Sequence, residues 1–334
     1  MKKKIIIIAE AGVNHCGKLS IAKKMIDAAK KFGADYIKFQ TFNPDLLSTK
    51  KAKLAKYQQN NTKFLNQYSM LKRLLLSEEV TEKIFNHCKK KKIGFLSTAF
   101  DLQSAEFLLK FKMDYAKIPS GEITNFPLIK FLAKNYKKII LSTGMSNLKE
   151  INWAIKILVK NGIKKKDITI LHCTSAYPAP IDELNLNAIK YLKKKLKLEI
   201  GYSDHTTSIL TPIIAASLGA ALIEKHFTLN KKYRGPDHKS SIDPHEFLET
   251  VNGINFANRA LGNFIKISTK SENKNKKIVR KSIYAAKDIK KGEKFNNNNL
   301  VSLRPDLGIS AIFWEQMIGK KAKRNFNKLN LIKY

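Results

Sequence analysis

The sequence predicts an α/β protein, a (β/α)8 TIM barrel followed by a small C-terminal β-rich domain. Three observations carry that expectation. Short apolar runs alternate with amphipathic stretches eight times over, the pattern of parallel strands joined by crossover helices. Those runs repeatedly finish in polar side chains, which strands buried on both faces otherwise avoid. Beyond a polar, lysine-rich stretch at 266–277 the runs shorten and turn signals separate them.

The apolar runs lie at 5–9, 36–39, 93–96, 115–118, 138–141, 168–172, 198–202 and 220–223. The first follows Met1-Lys2-Lys3-Lys4 and so imitates a secretory leader. Glu10 cuts it short of the length such a leader needs, and it reads as a buried first strand. Leu19, Ala22, Met25, Ile26, Ala29 and Phe32 then recur at helical spacing, with Gly33 as the stop. Asn147 with Glu150 resembles a capping box ahead of Ile151, Ile155 and Leu158. Asp243-Pro244-His245-Glu246 supplies an N-cap, a proline at the first helical position and an N3 carboxylate. Phe247, Val251, Ile254 and Leu261 follow as the expected buried stripe, ended by Gly262. A closed barrel is the simplest arrangement of eight such units. An open doubly wound sheet is the alternative, although no glycine fingerprint follows the first strand. The runs at 282–285 and 300–303, with turn signals at Lys291-Gly292 and 296–299, form the small module. The expected organisation is a barrel domain 1–264, a linker 265–278 and a small domain 279–334.

The 334 residues suffice for that plan, and a hydrophobic fraction of 43% argues against disorder. A formal net charge of +36 invites a nucleic-acid or membrane reading. The positive charge, however, is nearly all lysine, spread over expected outer helix faces such as Lys23, Lys24, Lys30 and Lys31. Arginine, the bidentate reader, is scarce. The expectation is a solvated surface with no nucleic-acid or membrane partner. Cys16, Cys88 and Cys173 show no paired spacing, which implies a reducing, cytoplasmic setting. No segment is long enough to span a bilayer.

Reactive groups of a parallel barrel gather at the C-terminal ends of its strands, and residues two apart on a strand share a face. Lys38 with Gln40, Ser203 with His205, and Glu224 with His226 each fall on one face. Glu10, Thr98, Lys117 and Ser142 occupy corresponding positions on other strands. Lysines with hydroxyls suit a phosphate or carboxylate. Two imidazoles among carboxylates suit a divalent metal left open to substrate. The expectation is an enzyme acting on a small phosphorylated anion with metal help. A Schiff-base aldolase using Lys38 or Lys117 is the enzymatic alternative, and a basic binding protein the non-enzymatic one.

The chain resembles the N-acetylneuraminate (sialic acid) synthase family, including its legionaminate and pseudaminate relatives. The resemblance rests on Ala9-Glu10-Ala11-Gly12-Val13-Asn14-His15, Ile37-Lys38-Phe39-Gln40-Thr41, Lys117-Ile118-Pro119-Ser120-Gly121-Glu122 and Leu141-Ser142-Thr143-Gly144-Met145. It continues through His172-Cys173-Thr174, Tyr177-Pro178, Gly201-Tyr202-Ser203-Asp204-His205-Thr206, Glu224-Lys225-His226-Phe227-Thr228 and Gly235-Pro236-Asp237. Arg280-Lys281-Ser282 and Leu303-Arg304-Pro305 match the antifreeze-like (SAF) domain of that family. The resemblance implies condensation of phosphoenolpyruvate with an N-acetylhexosamine and water, giving a nonulosonic acid and phosphate by C–O cleavage. N-acetylmannosamine is the first expectation for the sugar, and a diacetamido-dideoxyhexose, as in legionaminate synthesis, the alternative. It further implies that Lys38, Thr98, Lys117, Ser120, Ser142 and Ser203 hold phosphoenolpyruvate. His205 and His226 are implied as ligands of Mn2+, with Mg2+ or Co2+ as alternatives. Gln40, Glu122, Tyr177 and Asp237 are implied to contact the sugar, and Glu10 to sit near the reacting carbons. Glu224, which shares a strand face with His226, is expected to orient a metal-bound water. Arg304 is implied to reach the partner subunit's site in a domain-swapped homodimer. Two departures stand out. Ala99 replaces a proline usual in the family, and the stretch 57–68 matches weakly, leaving its sugar-contacting asparagine open between Asn60 and Asn61.

Overall fold

The computed structural model describes residues 4–62, 64–263 and 265–333, without the side chains of Lys56 and Asn60. The three residues ahead of Lys4 in the basic start, and the Asn60 side chain, lie outside the described residues.

Eight parallel strands close into a barrel in sequence order. They are β1 (Ile6–Gly12), β2 (Tyr36–Thr41), β3 (Gly94–Ala99), β4 (Ala116–Ile118), β5 (Ile139–Ser142), β6 (Ile168–His172), β7 (Glu199–Asp204) and β8 (Leu222–His226). Pairing of β1 with β8, Ile6 opposite Leu222 through Glu10 opposite His226, closes the ring and excludes the open sheet. Several strands run past their apolar runs into the polar residues that follow, so the polar rim belongs to the strands themselves. The helix Leu19–Lys31 buries Ala22, Met25, Ile26 and Ala29. It stops where Gly33 takes a φ of +93°, a left-handed conformation that costs glycine no Cβ clash.

Both cap signals are realised. Asn147 Oδ1 accepts from the Glu150 amide while Glu150 Oε2 accepts from the Asn147 amide at 2.8 Å. Asp243 and Glu246 exchange the same pair of bonds ahead of the helix Pro244–Ala260. That helix buries Phe247, Val251 and Ile254. Leu261, expected on the same stripe, lies just past its end and is exposed.

Between β2 and β3 the chain forms three short helices, Pro44–Leu47, Lys56–Asn61 and Gln67–Leu74, before the longer Glu78–Lys91. Phe42, Leu54, Met70, Leu71 and Leu74 pack with Val13 into a satellite apolar cluster separate from the barrel core. Among the described residues, no helix is long and apolar enough to cross a membrane.

The chain divides into two compact units, Met1–Gly262 and Asn263–Tyr334. The second carries β9 (Ser282–Ala285) and β10 (Leu300–Leu303), paired antiparallel. Its own core contains Ile283, Ile289, Phe295, Leu300, Met317 and Phe326. Residues 265–278, read from sequence as a linker, contain most of the helix Lys270–Val279, which Thr269 and Glu272 cap reciprocally.

Candidate active site

A cavity of about 530 Å³ opens in the barrel unit, and every barrel residue singled out from the sequence as a site residue lines it. β1 delivers Glu10, β2 Lys38 and Gln40, β3 Thr98, β4 Lys117 and β5 Ser142. β7 delivers Ser203, with His205 directly after it, and β8 delivers Glu224 and His226. Loops add Ser120, Glu122, Tyr177 and Asp237. Period-two alternation selects these inward positions, and parallel closure brings them to one end.

Four buried charges form the floor. Lys38 Nζ lies 2.7 Å from Glu10 Oε2 and 3.6 Å from Glu224 Oε2, and Lys117 Nζ donates to Glu224 Oε1 at 3.2 Å. Ser203 Oγ donates to the same Glu224 oxygen at 2.8 Å, and Lys38 reaches Thr98 Oγ1 at 3.2 Å. Burial disfavours the charge on Lys38, but Glu10 and Glu224 outweigh it and hold the ammonium charged. Burial dominates at Lys117 and lowers its proton affinity despite Glu224. Burial also raises the proton affinity of Glu10 against the pull of Lys38, and the Glu224 charge adds to the rise. Burial works against the Glu224 carboxylate too, but Lys117 and Lys38 overcome it and keep it ionised. The cluster therefore has a firm pair, Lys38 and Glu224, and a soft pair, Glu10 and Lys117. Beside it, the buried Ser142 Oγ has no hydrogen-bond partner among the described residues. The Gly144 amide donates to Ser120 Oγ at 2.9 Å and to Cys173 Sγ at 3.1 Å. A Cβ on Gly144 would fall 2.1 Å from Ser175 Oγ and 3.0 Å from Ser120 Oγ, so any larger residue forces those side chains to shift.

The two imidazoles stand with ring centroids 5.4 Å apart. His205 Nδ1 lies 2.7 Å from the Thr174 carbonyl. A carbonyl only accepts, so Nδ1 carries the hydrogen and Nε2 presents its lone pair to the cavity. The Tyr177 hydroxyl meets that nitrogen at 3.2 Å. Burial pushes His205 down to about 4. It holds His226 well below the usual range as well, aided by His205 and Lys38. Both rings are thus neutral, the form that ligates metals, and His226 Nδ1 is buried without a partner among the described residues. Metal–imidazole bonds of about 2 Å allow rings at this spacing to share one ion. Among the described residues, no group of three or more His, Cys, Asp or Glu forms a complete cage. An ion held here would complete its shell from substrate and water.

Asp237, buried and near Glu10, is pushed up to about 7, by burial first and Glu10 second. Burial likewise raises Glu122, which accepts from Asn125 Nδ2 at 2.6 Å. Asn61 Nδ2 donates to the Pro236 carbonyl at 3.1 Å, tying the helix Lys56–Asn61 to the loop of Asp237. Arg304 lies in the second unit, exposed, directly after β10.

Part of the cavity has no counterpart in the sequence reading. Tyr57 packs at a tilt against Tyr177 with centroids 5.0 Å apart, and Tyr177 stacks on His205 at 4.2 Å. Phe42, Leu47, Met70, Leu71 and Leu74 give the cavity an apolar flank. Met70, Leu71 and Leu74 lie beyond the weakly matching stretch 57–68 and are assigned to no element from the sequence. Glu224 contacts both lysines and Ser203.

Residues 25–266 match the NeuB family and residues 280–334 the SAF domain. The chain is 50% identical, over 99% of both chains, to the N,N'-diacetyllegionaminic acid synthase of Campylobacter jejuni. It is 42% identical to the enzyme of the same name from Legionella pneumophila, covering 96% of this chain and 91% of that one. The crystal structure of N-acetylneuraminic acid (sialic acid) synthetase from Leptospira borgpetersenii in complex with citrate superposes with a TM-score of 0.72 at 31% identity, covering 82% of this chain and 90% of that one. This chain belongs to the NeuB family, with a SAF domain following its barrel.

Proposed function

We propose that this chain is a nonulosonic acid synthase that condenses phosphoenolpyruvate with a diacetamido sugar aldehyde. Membership of a phosphoenolpyruvate-dependent synthase family supplies the reaction class, and similarity to two N,N'-diacetyllegionaminic acid synthases favours the diacetamido sugar. The apolar flank of Phe42, Leu47, Met70, Leu71 and Leu74 supports the same choice. It suits acetyl and deoxy methyl groups better than the hydroxyls of N-acetylmannosamine.

The observation that carries the reading is the convergence of Lys38, Lys117, His205 and His226 in one cavity. Lys38, held charged, and Lys117 neutralise the phosphate and carboxylate of phosphoenolpyruvate, with Thr98, Ser120, Ser142 and Ser203 donating hydrogen bonds. A trianionic substrate raises the proton affinity of Lys117, so binding and protonation reinforce each other. The enol carbon attacks the sugar aldehyde. Water adds to the adjacent carbon, and phosphate leaves with its bridging oxygen. Glu10, with its raised proton affinity, is suited to pass a proton at the reacting carbons. A divalent ion on His205 and His226, Mn2+ in the first instance, would polarise the aldehyde oxygen. Tyr177, Gln40, Glu122 and Asp237 orient the sugar, and Arg304 contacts it from a second subunit in a homodimer. A Schiff-base route is disfavoured at Lys38, whose amine stays charged and non-nucleophilic.

The test is a panel of sugars with phosphate release as the readout. The diacetamido sugar of the legionaminate branch should give the highest kcat/KM, above N-acetylmannosamine. Equal or greater efficiency with N-acetylmannosamine would overturn the sugar assignment, and phosphate release from no sugar would overturn the reaction.

A further inference from the structure

We infer that the buried pair Asp204–Lys225, which lies outside the cavity, positions His205 and His226 for metal binding. The inference rests on the proposed metal role of those histidines. Asp204 and Lys225 are directly opposite in the β7–β8 register. Their side chains point away from the cavity toward the helix layer, a place where barrel strands ordinarily carry apolar residues. Both side chains are 0% exposed. Replacing a buried ion pair with apolar residues is often neutral or stabilising, so stability alone gives little reason for one here.

The contacts show what the pair does. Lys225 Nζ donates to Asp204 Oδ2 at 2.6 Å, to the Thr206 carbonyl at 2.6 Å and to the Ser208 carbonyl at 3.1 Å. Asp204 also accepts from the Thr206 amide at 2.9 Å and from Thr211 Oγ1 at 2.7 Å. One knot thus ties the end of β7, the loop after it, the first turn of the helix Leu210–Ser217 and the end of β8. His205 sits between two knot residues, Asp204 and Thr206, and His226 directly follows a third, Lys225. On the opposite face and one register back, Ser203 Oγ bonds Glu224 at 2.8 Å. The two strands are therefore stapled on both faces immediately before they deliver the two imidazoles. The inner staple belongs to the anion subsite. The outer one touches no cavity group and fixes the backbone from which the rings project. Asp204, Lys225 and Thr211 are positioning residues.

The test uses metal-free full-length protein and Mn2+ titration followed by electron paramagnetic resonance. Two variants are compared with wild type: the paired replacement Asp204→Leu with Lys225→Met, and Thr211→Val, which removes the hydroxyl's bonds to Asp204 Oδ2 and Thr206 Oγ1 and leaves the charges. Circular dichroism and thermal melting establish that each is folded. The double variant should bind Mn2+ roughly 10- to 100-fold more weakly, the range for outer contacts that orient metal ligands. Thr211→Val should show a smaller loss in the same direction. Saturating Mn2+ should restore turnover in both, with KM for phosphoenolpyruvate within about twofold of wild type, a pattern that general loosening of the barrel would not give. A folded variant with wild-type Mn2+ affinity overturns the inference, and Thr211→Val decides alone should the double variant not fold. Wild-type protein that takes up no Mn2+ defeats the metal reading itself and this inference with it, an outcome distinct from the first.

Discussion

Lys117→Met tests the anion subsite most sharply, because Lys117 is buried, faces the cavity and pairs with one residue. Its Nζ lies 3.2 Å from Glu224 Oε1. At an effective dielectric near 20, that contact carries roughly 5 kcal/mol of gross attraction. Most of this offsets desolvation, and Glu224 keeps Ser203 at 2.8 Å and Lys38 at 3.6 Å. The expected loss of stability is about 3 kcal/mol, the low end for breaking a buried pair. That corresponds to a fall in Tm of roughly 6–12 °C. The loss in phosphoenolpyruvate binding is a separate effect. A charge-assisted hydrogen bond to an anion contributes about 1.5–3 kcal/mol, so KM for phosphoenolpyruvate should rise roughly 10- to 150-fold. KM for the sugar should change much less, since Gln40, Glu122, Tyr177 and Asp237 are untouched. Differential scanning fluorimetry gives the first quantity and steady-state phosphate release, with each substrate varied in turn, gives the second. A folded variant whose KM for phosphoenolpyruvate stays within twofold of wild type would refute the assignment.

Further outcomes follow from the same geometry. Replacing His205 or His226 with Ala should abolish metal-dependent turnover while the protein stays folded, and full activity in either would remove the metal site. Gly144→Ala drives a methyl group to 2.1 Å from Ser175 Oγ. It should lower kcat/KM roughly 10- to 100-fold by displacing Ser175 and, with it, Ser120, as steady-state kinetics would reveal. Asp237, raised to about 7, holds a sugar hydroxyl most strongly when ionised, because a carboxylate is a stronger acceptor than a carboxylic acid. As pH falls through that value it gains a proton, so KM for the sugar should rise on the acid side. Asp237→Asn should flatten that dependence, and an unchanged pH profile in the variant would show that another group titrates.

The barrel was legible because its strands are apolar over most of their length and its helices carry strong caps, such as Asn147 with Glu150 and Asp243 with Glu246. The strand ends were harder to see. Glu10, Ser203 and His226 interrupt hydrophobicity, so an apolar-run reading stops before strands whose hydrogen bonding continues through those residues. The same polarity revealed the site, since alternation sends Lys38, Ser203, Glu224 and His226 inward. The apolar flank was missed because the short helices between β2 and β3 have too few turns for a clear helical period. The helix Lys270–Val279 was read as linker because it buries none of its residues, leaving no amphipathic stripe to detect. Asp204 and Lys225 lie inside the motifs that contain His205 and His226, yet receive no role from the sequence. Only the register shows that they face each other, and sequence carries no direct record of register.

The central claim is that this cavity joins phosphoenolpyruvate to an amino-sugar aldehyde by breaking the C–O bond. Phosphoenolpyruvate labelled with 18O at the bridging position, incubated with Mn2+ and the diacetamido sugar, tests it directly. The account predicts that the released phosphate retains the label and that release requires the sugar. Unlabelled phosphate, or release that proceeds without the sugar, would contradict it.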